Sequence, residues 1–316
     1  MLPDPESAVI LGDMDSTWDC TVVGAGAGGL SAALVLGRAR RSTLVVDAGQ
    51  PSNAPAHGIG GVLGHDGRPP ADFYAIGREE VAAYPSVEML AGDVVGGRRC
   101  DLGFELELAD GTRHHTKRVV LATGMEYRYP KLPGLTERWG GAVFHCPFCH
   151  GWEVRDRRLG VLDRGDTGVH RALLLQAWSD DVTLLTDGPD GLDDDEQATL
   201  AAHGVAVDDR RVSGVRGPGR DISAVMFTVG SERPLDALLV PVTLHQRSAL
   251  AQQLGAATHE TMVASDAVDV DAWMQSSVPG LSAVGDISTA APSVAAAIAA
   301  GSAAAAGVVR SLIEVS

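Results

Sequence analysis

The apolar pattern begins only after an arm, residues 1–17, that predicts a solvated segment. Thr21-Val22-Val23 is a short apolar strand, followed by a glycine-rich turn from Gly24 to Gly29 and a small-residue helix from Leu30 to Leu36. A second apolar strand, Thr43 to Val46, ends in Asp47. Strand, tight turn, helix and strand in this order predict a βαβ unit. Residues 50–70 are rich in Gly, Pro, His and Asn and predict a long loop. A helix over 72–84, a strand over 87–95 and a hairpin around Asp110-Gly111 follow, the second arm of the hairpin ending in Val119 to Gly124.

The same topology then recurs. Leu159 to Leu162 predicts a strand, Asp163 to Gly168 a turn, Val169 to Trp178 a helix and Val182 to Leu185 the parallel strand. A meander is expected over 205–229. Leu281 to Asp286 leads into a terminal helix, Val294 to Val309, built almost wholly of Ala, Gly and Val. Alanine is weakly apolar, and about 20 apolar residues span a bilayer, so this segment is expected as a buried helix. The pattern as a whole implies an α/β chain with an internal duplication of the fold.

Composition narrows the function. At 316 residues the chain suits two domains. It carries 25 Lys and Arg against 41 Asp and Glu, a net charge of −16. Such a field repels DNA, RNA and anionic lipid, so neither a nucleic acid nor a membrane partner is expected. The acidic N-terminus differs from a secretory leader and predicts a cytoplasmic protein. The cysteines are Cys20, Cys100, Cys146 and Cys149, too few for a stapled secreted scaffold. Cys20 is expected as a small core residue and Cys100 as unremarkable.

Gly24-x-Gly26-x-x-Gly29 sits between strand and helix, with Asp47 about 20 residues on, as a dinucleotide site requires. The glycines allow close backbone approach to a pyrophosphate, the helix N-terminus offers free N–H groups, and Asp47 can accept from a ribose hydroxyl. His145-Cys146-Pro147-Phe148-Cys149-His150 holds a C-x-x-C pair, which in a cytosolic chain with βαβ units reads as a redox dithiol. Haem attachment would need export. Structural zinc would ordinarily need a second cysteine pair, so no metal is expected.

Ala122-Thr123-Gly124 and Val284-Gly285-Asp286 resemble the second and third FAD segments of the pyridine-nucleotide-disulfide oxidoreductases. With C-x-x-C in the inserted middle, residues 18–316 resemble a low-molecular-weight thioredoxin reductase. The resemblance implies two Rossmann-like domains, the FAD domain discontinuous. The expected boundaries are 1–126 and 249–316 for the FAD domain and 127–248 for the NADPH-like insertion. It assigns FAD contacts to Gly24, Gly26, Gly28, Gly29, Asp47, Asn53, Thr123, Gly124, Gly285, Asp286, Val294 and Ala295. It makes Cys146 the exchange thiol and Cys149 the thiol facing the flavin. His150 replaces the family's acidic residue after the second cysteine. Relatives of this kind are homodimers.

The second unit departs from the family. Its turn carries Asp163 and Arg164 where two glycines would stand, leaving Gly165. A carboxylate about 4 Å from a phosphate costs on the order of 1 to 4 kcal/mol. The segment after the next strand, Thr186 to Asp190, has no cation for a 2′-phosphate, and Asp193 to Glu196 reads as a solvated helix start. A degenerate nicotinamide site beside the signature Cys146 to Glu153 resembles the flavin-dependent dithiol oxidases. These close the disulfides of gliotoxin-, holomycin- and romidepsin-type natural products with O2, releasing H2O2. The loop Pro51 to Pro55 and the segment Trp178 to Leu184 fit that group. The implied substrate is a small-molecule dithiol, with His150 or His145 as base; His57 and His65, in the Gly-rich loop, either line the pocket near the flavin or are solvent-exposed loop histidines. The competing readings are a thioredoxin-like reductase fed by NAD(P)H or another donor, and a non-catalytic flavoprotein whose dithiol is a sensor.

Overall fold

The computed structural model describes residues 17–189 and 191–313, so the expected arm lies outside it except for Thr17, as does Asp190. β1 (Cys20–Val23) is buried on both faces, which is why it reads as a continuous apolar run. α1 (Ala27–Arg38) follows, then β2 (Thr43–Asp47). α2 (Pro70–Ala82) starts on a proline, whose missing N–H costs nothing in a first helical turn. It therefore begins and ends two residues earlier than expected.

The strand expected over 87–95 is two strands. β3 (Val87–Ala91) runs parallel to β2, and β4 (Val94–Cys100) turns away into an antiparallel sheet with β5 (Gly103–Leu108) and β6 (Arg113–Thr116). The change falls at Gly92-Asp93. The Gly92 amide still donates to Asp47, and the Asp93 carbonyl already accepts from Ala109. The second hairpin arm divides likewise into β6 and β7 (Val119–Leu121), which returns to lie parallel to β1.

β8 (Met125–Arg128) leads into the inserted unit. There β9 (Val143–Phe144), α3 (Pro147–His150), β10 (Leu159–Leu162), α4 (Gly165–Leu175) and β11 (Val182–Leu185) follow in turn. α4 begins four residues before the expected start, so the turn is only Asp163 and Arg164. α5 (Asp194–Ala202) starts in a capping box: Asp193 accepts from the Glu196 amide and Glu196 from the Asp193 amide. This is the solvated start read from the acidic run. β12 (Ala206–Asp208) is not part of a meander but the edge of the parallel sheet. The antiparallel portion is β13 (Val212–Arg216), β14 (Ala224–Phe227) and β15 (Glu232–Pro234). β16 (Ala237–Leu239) returns to the parallel sheet, whose order is β12-β11-β10-β16-β9.

β17 (Thr243–Gln246) leaves the inserted unit antiparallel to β8, with Thr243 opposite Arg128 and Gln246 opposite Met125. After α6 (Leu250–Gln253), β18 (Thr258–His259) and β19 (Ala267–Val268), β20 (Leu281–Ala283) pairs with β7 and completes the first sheet, ordered β20-β7-β1-β2-β3. The two parallel sheets are the two Rossmann-like units.

α7 (Val294–Ile313) lies across α1. It is long and apolar enough to cross a membrane by length and composition. Here it buries one face through Ala297, Gly301, Ala304, Ala305 and Val308. Ala295, Ala299, Ser302 and Arg310 are exposed, so the expected buried helix is buried along one side only. A Cβ on Gly301 would stand 2.1 Å from the Gly28 carbonyl oxygen. The two helices therefore cross backbone against backbone.

Candidate active site

A cavity of about 360 Å3 runs from the glycine turn before α1 to the Cys146–Cys149 pair. The turn is built by close approach. Gly24 has φ of +102°, and a Cβ there would lie 2.3 Å from the Ala122 carbonyl oxygen. A Cβ on Gly29 would lie 1.8 Å from the Gly24 carbonyl oxygen, so Gly29 shapes the turn without lining the cavity. Gly26 does line it, and nothing stands within 4 Å of where its Cβ would be. That open cradle at the N-terminus of α1, where no side chain caps the helix, suits a pyrophosphate.

Two carboxylates mark the cradle. Asp47, at the end of β2, accepts from the Ala25 amide at 3.1 Å and from Arg78 at 2.9 Å. Burial pushes its carboxyl up, but Arg78 and the amides of Ala25 and Gly49 outweigh that and hold it below the ordinary value. Asp286, after β20, accepts from Tyr127 at 2.9 Å and Ser52 at 3.2 Å. Burial pushes the Asp286 carboxyl up against those two bonds, and burial beside Asp286 raises the Tyr127 hydroxyl in turn. Asn53 is held by the Tyr74 hydroxyl at 2.8 Å. Thr123, Gly124, Gly285 and Val294 also line the cavity, whereas Ala295 is exposed and off the wall. Ser293 caps the Ala296 amide at 3.1 Å, aiming the α7 N-terminus at this space.

Sequence reading missed Arg247, which lines the cavity and is fixed by the carbonyls of Met125 at 3.1 Å and Gln50 at 2.5 Å. It missed Tyr127, Ser52, Tyr74 and Arg78 as well. Ser52 sits inside the loop Pro51 to Pro55, whereas the others lie in no recognisable motif and left no local signal. The cradle, its flanking carboxylates and the second helix N-terminus fit an extended flavin dinucleotide.

At the other end, Cys146 and Cys149 form a disulfide with Cα atoms 5.3 Å apart. Cys149 lines the cavity and Cys146 does not. Phe148, between them, is 71% exposed, and Trp152 is 65% exposed under the Arg155 guanidinium at 3.9 Å. His150 lines the cavity, its ring nitrogens buried without a hydrogen-bond partner. Burial pushes its pKa below the ordinary histidine value. His145 is stacked on Trp139 at 5.6 Å with Tyr127 tilted against it at 4.9 Å, and burial pushes it down to about 4. Both rings favour the neutral form, which can accept a proton. His57 is exposed, and His65 packs edge-on to Phe73 at 5.2 Å. Neither lines the cavity.

The turn of the inserted unit is filled by its own side chains. Arg164 donates to the Thr186 carbonyl at 2.6 Å, to the Asp187 carbonyl and to the Asp187 carboxylate at 3.3 Å. Asp163 pairs with Arg171 and accepts from the Arg164 amide at 2.8 Å. The carboxylate expected to face a pyrophosphate is thus turned onto Arg171. The segment expected to lack a cation has two beside it, Arg164 and Arg211, each about 3.5 Å from where a Cβ of Gly188 would stand. They come from elements remote in the chain, which a segment-by-segment reading passes over.

Residues 18–301 match the pyridine nucleotide-disulphide oxidoreductase family. The chain is 32% identical to thioredoxin reductase tcpT of Claviceps purpurea, over 85% of this chain and 86% of that one. An oxidoreductase from Agrobacterium tumefaciens superposes with a TM-score of 0.89 at 34% identity, covering 95% of this chain and all of its own. The crystal structure of HlmI gives 0.86 at 36% identity, covering 95% and 94%.

Proposed function

The chain belongs to the pyridine nucleotide-disulphide oxidoreductase family, whose thioredoxin reductase-like members are FAD-binding flavoproteins, and from that premise we propose that it oxidises small-molecule dithiols with O2 as acceptor. The observation that carries the reading is Arg164. Its guanidinium lies over the end of β11, bonded to Thr186 and Asp187, where a nicotinamide dinucleotide would need open glycine backbone. The cradle of the first unit has no such plug.

Gly26 and the α1 N-terminus would hold the pyrophosphate, Asp47 a ribose, and Asp286 with the α7 N-terminus the flavin half. Bound FAD supplies two-electron acceptance from the cysteine pair and its return to the oxidised state by O2, with release of H2O2.

His150, neutral and at the cavity wall, takes the proton of a substrate thiol. The resulting thiolate attacks the Cys146 sulfur, and the disulfide breaks with Cys149 leaving as thiolate. The second substrate thiol, deprotonated in turn, attacks the substrate sulfur of the mixed disulfide. The product leaves as a cyclic disulfide and Cys146 is freed. The two electrons taken from the substrate now reside on the Cys146–Cys149 dithiol, with Cys149 on the cavity side. Re-forming the disulfide passes them on and restores the start.

The tcpT relative bears the name thioredoxin reductase, so reduction by a nicotinamide is the reading to test against. Purified holoprotein is mixed anaerobically with dithiothreitol, NADPH or NADH. Bleaching by dithiothreitol alone, followed by recovery with one H2O2 per dithiol on admitting air, is expected. Rapid bleaching by NADPH would overturn the proposal.

A further inference from the structure

The loop between β2 and α2 is built rather than loose. The Ile59 amide donates to Arg68 at 2.9 Å and the Gly67 amide to Ile59 at 2.8 Å, closing its base. The Gly61 amide donates to the Asp66 carboxylate at 2.8 Å, and Ile59 and Val62 are buried. This firm loop belongs to the first unit, yet it meets the redox helix of the inserted unit. A Cβ on Gly60 would stand 2.9 Å from the Cys149 carbonyl oxygen and 3.4 Å from its Cα. The φ of Gly60 lies outside the left-handed region, so this glycine answers to closeness and not to backbone shape.

A second contact lies beside the first. A Cβ on Gly140, in the inserted unit, would stand 2.9 Å from Pro55. One Arg220 nitrogen donates both to the Trp139 carbonyl, at 2.8 Å, and to the Pro55 carbonyl. A single guanidinium from the inserted unit thus ties the loop down next to the cavity.

We propose that Gly60 is a positioning residue for Cys149, its loop acting as a stop that fixes the cavity-side sulfur, and that Arg220 is the clamp holding the stop in place. The proposal rests on the reading that Cys149 delivers electrons into the cavity. Re-forming the disulfide there demands a fixed separation, and a displacement of about 1 Å can cost on the order of a hundredfold in rate. A methyl group at position 60 cannot be accommodated without moving either the loop or the Cys149 backbone.

The experiment uses holoprotein carrying Cys146→Ser, in which Cys149 is a lone thiolate. That parent should show long-wavelength thiolate-to-flavin charge-transfer absorbance, and its absence would count against the proposed function itself. Adding Gly60→Ala should weaken the absorbance per bound flavin severalfold and speed alkylation of Cys149 by iodoacetamide, on the order of tenfold. Arg220→Ala, which removes no side chain lining the cavity and acts only through the carbonyls of Pro55 and Trp139, should move both readouts in the same direction. A parent band of full strength that persists in both variants, with unaltered alkylation, overturns the proposal. If Gly60→Ala does not fold, Arg220→Ala decides alone.

Discussion

Arg164, at the N-terminal end of α4, grips Asp187, just beyond the end of β11, through both carbonyl and carboxylate. The Asp187 carboxylate also accepts from the Val212 amide at 2.8 Å, so the grip reaches the start of β13. Arg164 is half exposed, and a pair so placed contributes little as a pair of charges. Its bonds to carbonyl oxygens contribute on the order of 1 kcal/mol. Arg164→Ala should therefore lower the thermal midpoint slightly and leave dithiol turnover unchanged. A collapse of turnover, measured by peroxide release, would mean that this turn still takes part in the reaction.

Where Gly301 meets Gly28, the crossing of α1 and α7 admits no methyl group. Gly301→Ala would force the helices apart, and overpacking of this kind costs typically about 1–3 kcal/mol. Gly28 and Val294 both line the cavity, so flavin content should fall together with stability. Thermal melting and the flavin-to-protein absorbance ratio check this; a stable variant with full flavin would contradict it.

His145 gives the fold an acid-sensitive element. Its folded pKa of about 4 lies below the ordinary 6.5, so the unfolded chain binds the proton more readily. Stability is complete above about pH 6.5 and declines as pH falls toward about 4, by up to about 3 kcal/mol. His145→Phe keeps a ring against Tyr127 and Trp139 and removes the titration. Its melting temperature should fall less steeply over that window than the parent's. Parallel curves would remove His145 as the cause.

Asp286 has the opposite sign. Burial raises its folded pKa, so the flavin-free protein loses stability as pH rises above the ordinary aspartate value. Asp286→Asn retains an oxygen for Tyr127 and Ser52 and removes the buried charge. It should stabilise flavin-free protein at neutral pH by about 1 kcal/mol while weakening flavin binding. Denaturant melts and a flavin titration check the two halves; a variant destabilised without flavin would refute the first.

The order β1, turn, α1, β2 was legible because each step is fixed by neighbours in sequence, as was the Cys146–Cys149 pair. What could not be read were the places where the chain changes partner. Val87 to Val95 reads as a single strand, but the Gly92 amide donates to Asp47, at the end of β2, while the Asp93 carbonyl accepts from Ala109, just past β5. The same holds at the site. Asp47 and Asp286 stand in motifs, while Arg78, Tyr127 and Arg247 approach them from positions outside any motif. Arg164 was legible as a missing glycine but not as a plug, since Asp187 meets it only in three dimensions.

β8 and β17 lie side by side, and among the described residues they are where the chain passes between its two parallel sheets. Arg128 and Thr243 face each other across that pair, near enough for a tight turn to join them. Residues 129–242 therefore form a cassette whose removal would leave the remaining chain able to close on itself. Evolution could exchange or disable the cassette without redrawing the cradle around the coenzyme.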